Sequence, residues 1–196
     1  MNQRMIRAVR QIVKRIVYRP WKIRRMGKDS RVMPPYWLYN PQCVEIGARC
    51  SVGQFTKINP LIEYNGTPQS GEIILGDDVH IGGFTQIHSM HRLEIGDGCV
   101  LSEHVYMSDV AHGFDPAAGL IMKQALESKG PVRIGKQVFI GYGCSVLPGV
   151  TLGDHCIVGT RSVVTRSFPA YSMIAGSPAR LIGSFNHDTG RWEKLK

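Results

Sequence analysis

The residue best placed to do chemistry is His112, in the segment SDVAHGFDP from Ser108 to Pro116. An imidazole titrates near neutral pH, so it can take the proton from a hydroxyl that is to act as a nucleophile. His112 stands at the root of the longest irregular stretch of the chain, where a side chain faces a cleft while a rigid element holds its backbone. On position alone, a surface or hydrogen-bonded histidine remains the alternative. Asp109 and Asp115 flank it. Either carboxylate is a candidate to orient the imidazole and stabilise its charged form, and either is equally a solvated turn residue. The five cysteines, at 43, 50, 99, 144 and 156, show neither CxxC spacing nor the density of a secreted disulfide scaffold, so a cytoplasmic protein is expected.

The element that must position His112 is a repeat. Aliphatic residues recur every six positions: Ile46, Val52 and Ile58; Leu75, Ile81 and Ile87; Ile95, Leu101 and Met107; Ile134, Ile140 and Val146; Leu152, Val158 and Val164. Glycine follows in nine of these fifteen units, and the fifth position is mostly small or β-branched. Neither helical nor hairpin periodicity produces this pattern. Three such units close one triangular coil if the aliphatic residue fills the interior and glycine eases the corner. With starts at 46, 75, 95, 134 and 152, the coils exceed eighteen residues by 11, 2, 21 and 0, and every excess falls after the third unit. Loops leaving one corner of a prism require that phase, and an ordinary sheet does not. The expected fold is therefore all-β, a parallel β-helix of about five coils. Four of the five cysteines take the small inward position, which makes them core residues ahead of nucleophiles or ligands.

The net charge of +9 is local, because residues 1 to 31 hold eleven Lys or Arg and one acid, Asp29, while the rest of the chain is near neutral. A basic arm on a neutral body points away from nucleic acid. Residues 2 to 18 carry Met5, Val9, Ile12 and Ile16 at helical spacing among the cations, and Pro20 follows. This pattern predicts an amphipathic helix that either lies on an anionic membrane or caps the open end of the β-helix. No stretch is long and apolar enough to span a bilayer. The expected organisation is an arm over 1–33, a β-helix over 34–183 and a tail over 184–196.

The stretch from Ile134 to Gly183, IGKQVFIGYGCSVLPGVTLGDHCIVGTRSVVTRSFPAYSMIAGSPARLIG, resembles the hexapeptide-repeat acyltransferases, and the resemblance covers about residues 40 to 185. The resemblance is especially to the sugar O-acetyltransferases of maltose and galactoside type and those of lipopolysaccharide and capsule synthesis. The tail FNHDTGRWEK (Phe185 to Lys194) is similar to endings in the polysaccharide branch. The resemblance implies a left-handed β-helix, a hand that periodicity does not supply and that opposes the usual right-handed crossover. It also implies a homotrimer with active sites between subunits, acetyl-CoA as donor, and a sugar or lipid-linked glycan hydroxyl as acceptor. Such an enzyme is expected in the cytoplasm, at the inner face of the membrane if the arm binds there.

Residue by residue, the resemblance makes His112 the general base; of the two flanking carboxylates, Asp109 is taken as the catalytic candidate beside it. Many polysaccharide-branch members carry Asp-His-x-His where this chain has Asp109, Val110, Ala111 and His112, so the first histidine is absent. The resemblance points to the N–H groups of Gly141 and Tyr142 as oxyanion donors from a neighbouring chain, beside Phe139 where relatives often have tryptophan. It gives the CoA surface to Gly159, Thr160, Thr165, Arg166 and Arg180, arginine suiting phosphates through its bidentate fork. No metal is implied. Carbonic anhydrases of the same repeat class bind zinc through three histidines, but their pair of closely spaced downstream histidines has no counterpart between His112 and His155. Loops 59–73 and 113–131 are expected to shape acceptor choice. An antibiotic or xenobiotic O-acetyltransferase and a non-catalytic β-helix scaffold are the rival readings.

Overall fold

The computed structural model describes residues 20 and 22–195, so the helix expected over residues 2 to 18 lies outside the described residues. Strands of the repeat are two to four residues long, and each pairs in parallel with the strand one coil away. Glu72–Leu75 lies between Val44–Ile46 and Arg92–Ile95, with Leu75 opposite both Ile46 and Ile95. His80–Ile81 lies between Ser51–Val52 and Val100–Leu101, and Gln86–Ser89 between Lys57–Pro60 and Tyr106–Ser108. Three faces result, and the chain visits them in rotation, as a parallel β-helix requires.

The stack begins earlier than the repeat count from Ile46. Arg25–Met26, Arg31–Val32 and Trp37–Leu38 pair with the first three strands of that count, so Met26, Val32 and Leu38 continue the six-residue period downward. The first and third faces accordingly hold six strands each among the described residues, one coil more than expected. This coil escapes a pattern search because it is crowded with arginine and only Met26 is followed by glycine. Its Pro34 and Pro35 therefore lie at the corner between the second and third faces. At the other end, Ser172–Gly176 extends the second face, and Ala179–Asn186 and Arg191–Lys194 add two antiparallel strands. The tail is thus paired, with Phe185 opposite Trp192.

All fifteen repeat aliphatics are buried, none more than 3% exposed. The reason for glycine after them differs from the expected one. The left-handed backbone at the corners falls two residues later, at Arg49, Phe55, Asp78, Phe84, His104, Gln137, His155 and Arg161, with φ between 52° and 58°. Holding an L-residue there costs about 1–2 kcal/mol, and the conformation is supported by a corner ladder in which Asp78 N–H reaches Ala48 O and Phe84 N–H reaches Gln54 O. The glycine is required by the spacing of coils. A Cβ on Gly141 would stand 2.8 Å from Thr160 N and 2.9 Å from Val158 O.

Cys50, Cys99, Cys144 and Cys156 are buried, and each thiol donates to a carbonyl of a later coil or turn, those of Gly76, Gly135, Gly159 and Pro169, at 3.0–3.1 Å. Burial pushes all four thiols up, Cys99 to about 11. A thiol reagent such as Ellman's is therefore expected to titrate at most one of the five cysteines, the half-exposed Cys43, in native protein at pH 8, and all five in denaturant. Rapid native titration of two or more would contradict the packed corner.

The three outer faces differ chemically. The first carries an ion-pair network, Arg25–Glu45–Arg24–Glu72–Arg92–Glu94, typical of a solvated surface. The second exposes Val100 and Phe139, and its edge toward the third carries a column of rings. Phe55 stacks on Phe84 and Phe84 on His104, both with centroids 4.8 Å apart, and Tyr142 continues the column.

Candidate active site

Two loops leave the prism at the corner between the third and first faces, and they meet around His112. Ala111–His112 forms an antiparallel bridge with Leu126–Glu127, which closes the root of the long loop and leaves the imidazole exposed. Within the loop, the buried Gln124 side chain accepts from Asp115 N and donates to the carbonyls of Asp115 and Gly119, at 2.9–3.0 Å. These bonds hold the loop compact. The other loop is a hairpin of Glu63–Tyr64 against Thr67–Pro68, turned by Asn65 and Gly66 with φ of 49° and 78°. Asn-Gly suits such a two-residue turn because both positions tolerate positive φ. The hairpin brings the Tyr64 hydroxyl 3.3 Å from His112 Nδ1 and 2.8 Å from the Met122 carbonyl.

Asp109 does not orient His112. Its carboxylate is fully buried and accepts from Ser89 Oγ at 3.0 Å and from the backbone N–H groups of Met90, His91 and Arg92 at 2.6, 3.1 and 2.9 Å. Those three amides converge because the chain turns from the third face to the first within two residues in the coil before, and such a concavity seeks an anion. Asp109 fills it and anchors the start of the loop that carries His112. Asp115 is the turn residue, its carboxylate accepting from Ala117 N at 2.8 Å. Neither carboxylate touches the imidazole.

Of the proposed oxyanion donors, Gly141 is excluded, since its N–H donates to Val158 O at 2.9 Å within the ladder. Gly159 N–H is likewise spent on Ile174 O at 2.8 Å. The amides of Tyr142 and Thr160, the next residue in each case, carry no such bond among the described residues, and both residues are exposed. Gly141, Tyr142, Gly159 and Thr160 lie at the corner between the second and third faces, with Phe139 on the adjoining strand. Arg180, opposite Ala175, is close by in the hairpin above. Thr165 and Arg166 lie at the His112 corner near the top of the stack, where the Arg166 guanidinium covers the Phe168 ring at 4.8 Å. One chain therefore sets His112 and the Tyr142–Thr160 corner on opposite edges of the third face and does not bring them together.

His88 lies on the third face beside Asn59 and Gln86, in register with Ser108. Burial, reinforced by the Lys57 charge, lowers its pKa from 6.5 to about 4. The unfolded chain takes up a proton between those values and the folded chain resists it, so stability present above pH 6.5 is lost as the pH falls toward 4. Denaturation midpoints at pH 7 and pH 5 are expected to differ more for the parent than for His88→Gln. Equal differences would contradict the neutral, half-buried imidazole. Among the described residues, no three His, Cys, Asp or Glu side chains are grouped to hold a metal ion.

Sequence comparison matches residues 131–166 to the family described as bacterial transferase hexapeptide (six repeats). WbbJ of Escherichia coli (strain K12), assigned as a lipopolysaccharide biosynthesis O-acetyl transferase, is 30% identical over 197 residues, covering 96% of this chain and 92% of that one. The chain belongs to the hexapeptide-repeat acyltransferases. Another member, the galactoside O-acetyltransferase of the same organism, is 32% identical over 117 residues, which are 57% of this chain and 56% of that one. Among solved structures, AntD, an N-acyltransferase from Bacillus cereus in complex with dTDP and 3-hydroxybutyryl-CoA, superposes with a TM-score of 0.73 at 20% identity, over 92% of this chain and 90% of that one. At that identity the likeness speaks to the fold. Sequence reasoning missed Tyr64 in this hexapeptide-repeat enzyme, although Asn65-Gly66 signals a hairpin that would carry the preceding residue out of the coil.

Proposed function

We propose that this acyltransferase moves the acetyl group of acetyl-CoA to a sugar hydroxyl during synthesis of a cell-surface polysaccharide or lipopolysaccharide, with His112 as general base. The observation that carries the reading is the likeness to WbbJ along nearly the whole chain, combined with an exposed imidazole held at the root of a braced loop. In this mechanism His112 takes the acceptor proton as the hydroxyl oxygen attacks the thioester carbon. The tetrahedral oxyanion forms beside backbone N–H groups, for which those of Tyr142 and Thr160 are the candidates, neither being spent on the backbone ladder among the described residues. The C–S bond then breaks, and the CoA thiolate receives the proton from the imidazolium, which restores the base.

The working form in this reading is a homotrimer of left-handed β-helices. Within one chain His112 and the Tyr142–Thr160 corner lie on opposite edges of the third face, whereas a neighbour packed against that face brings the corner of one subunit to the histidine of the next. The ring column at that edge and the exposed Val100 and Phe139 of the second face supply surface to bury, and the ion-paired first face stays in water. Thr165, Arg166 and Arg180 remain the candidates for pantetheine and phosphate contacts. Arg24 and Arg25 are ion-paired on the first face, and the cations that precede them in the basic segment 1–31 favour an anionic membrane, which suits a lipid-linked acceptor at its inner face. Among the described residues, no helix is long and apolar enough to cross a membrane.

Incubating the purified full chain with acetyl-labelled acetyl-CoA and a lipid-linked glycan extract of the source cells tests the function. Alkali-labile label in the glycan fraction is expected, as an ester requires. Alkali-stable label would replace the hydroxyl with an amine acceptor. Absence of both transfer and acetyl-CoA binding would return the scaffold reading.

A further inference from the structure

We infer that Tyr64 is a positioning residue that fixes His112 in the tautomer protonated at Nδ1, leaving the Nε2 lone pair to face the acceptor hydroxyl. The inference rests on His112 being the base, and it follows from counting protons. A tyrosine hydroxyl carries one proton. The Met122 carbonyl only accepts, so the 2.8 Å contact from Tyr64 Oη uses that proton. The 3.3 Å contact between Tyr64 Oη and His112 Nδ1 is then left with a single donor, the ring N–H of His112. A neutral imidazole protonated at Nδ1 is unprotonated at Nε2, the form a base requires.

The surroundings make this arrangement stiff. Asn65 Nδ2 donates to the same Met122 carbonyl at 2.8 Å, so the hairpin tip grips the long loop through two bonds from adjacent residues. The Tyr64 ring meets the imidazole edge-on, with centroids 5.7 Å apart and planes at 61°, which opposes rotation of the ring about its bond to the backbone. These three contacts bridge segments 48 or more residues apart in the chain, so the two loops are held together beside Nδ1, leaving Nε2 free of them. The two carboxylates nearest in sequence, Asp109 and Asp115, accept from backbone amides elsewhere. The hydroxyl does the orienting that a carboxylate does in the triad arrangement, without adding a negative charge.

Tyr64→Phe keeps the ring contact and removes the acceptor. Ring 15N shifts of His112, measured in full-length protein labelled in histidine and assigned by their loss in His112→Ala, report which nitrogen carries the proton. Wild type is expected to show a protonated Nδ1 and a bare Nε2, and Tyr64→Phe to lose that preference. With the glycan extract as acceptor, kcat of Tyr64→Phe is expected to fall about tenfold, the weight of one net hydrogen bond, with KM for acetyl-CoA unchanged. Wild type protonated at Nε2 would overturn the proposal, as would a Tyr64→Phe variant with wild-type kcat or with an unchanged tautomer. Full activity in His112→Ala would instead remove the base itself, an outcome the 15N spectrum reads independently.

Discussion

Asp109→Asn is expected to destabilise the fold by about 3–4 kcal/mol, because a buried acceptor of four hydrogen bonds loses its charge and half its acceptor capacity. An asparagine oxygen placed at the Oδ2 position keeps Ser89, His91 and Arg92 but turns its amide toward Met90 N, which now stands 2.6 Å from Oδ1. Two donors then face each other in a site with no water access. Flipping the amide is worse, since it opposes the two backbone donors of His91 and Arg92. For a chain of this size the loss corresponds to roughly 10 °C in Tm. Asp115→Asn is the control, expected to stay within about 0.5 kcal/mol, since its carboxylate is exposed and meets one turn amide. Urea denaturation of the parent and both variants checks this. Equal stability of Asp109→Asn and the parent would mean that the carboxylate is not the keystone of the Met90–Arg92 turn. Activity should fall with stability in this variant, because Asp109 secures the loop root three residues before His112.

How far the sequence carries this account depends on the range of the interaction concerned. The interior of the prism was legible because one side chain in six must be aliphatic whatever surrounds it, and Ile46 through Val164 obey that rule. The purpose of the glycines was not. A Cβ on Gly141 is excluded by Thr160, a residue of the next coil, and no local pattern shows that approach. Asp109 illustrates the same limit, since its partners lie 17–20 residues away and are backbone amides, which have no sequence signature. Two residues near a histidine, Asp109 and Asp115, looked alike as orienting groups. Burial separates them into a nest-filling anion and a turn cap. The first coil was obscured by the arginines at 24, 25 and 31, which belong to its outer surface while Met26, Val32 and Leu38 face in. Tyr64 had a readable cue in the Asn65-Gly66 turn, but its contact with His112 is set by the folding of two separate loops.

His112→Ala is expected to lower kcat by about 10²–10⁴-fold, the range for removing a positioned general base. Stability should be nearly unchanged, because the imidazole is exposed and its contact is with a hairpin side chain at 3.3 Å. Acetyl-CoA affinity should also persist, since His112 is not among the side chains proposed to hold the donor, Thr165, Arg166 and Arg180. The retained affinity separates a lost base from a lost site. Transfer of labelled acetyl into the glycan extract, run with wild type and His112→Ala at matched acetyl-CoA occupancy, is the most direct test of the central claim: a rate two or more orders of magnitude lower for the variant with unchanged donor binding is predicted, and comparable rates for the two proteins would contradict it.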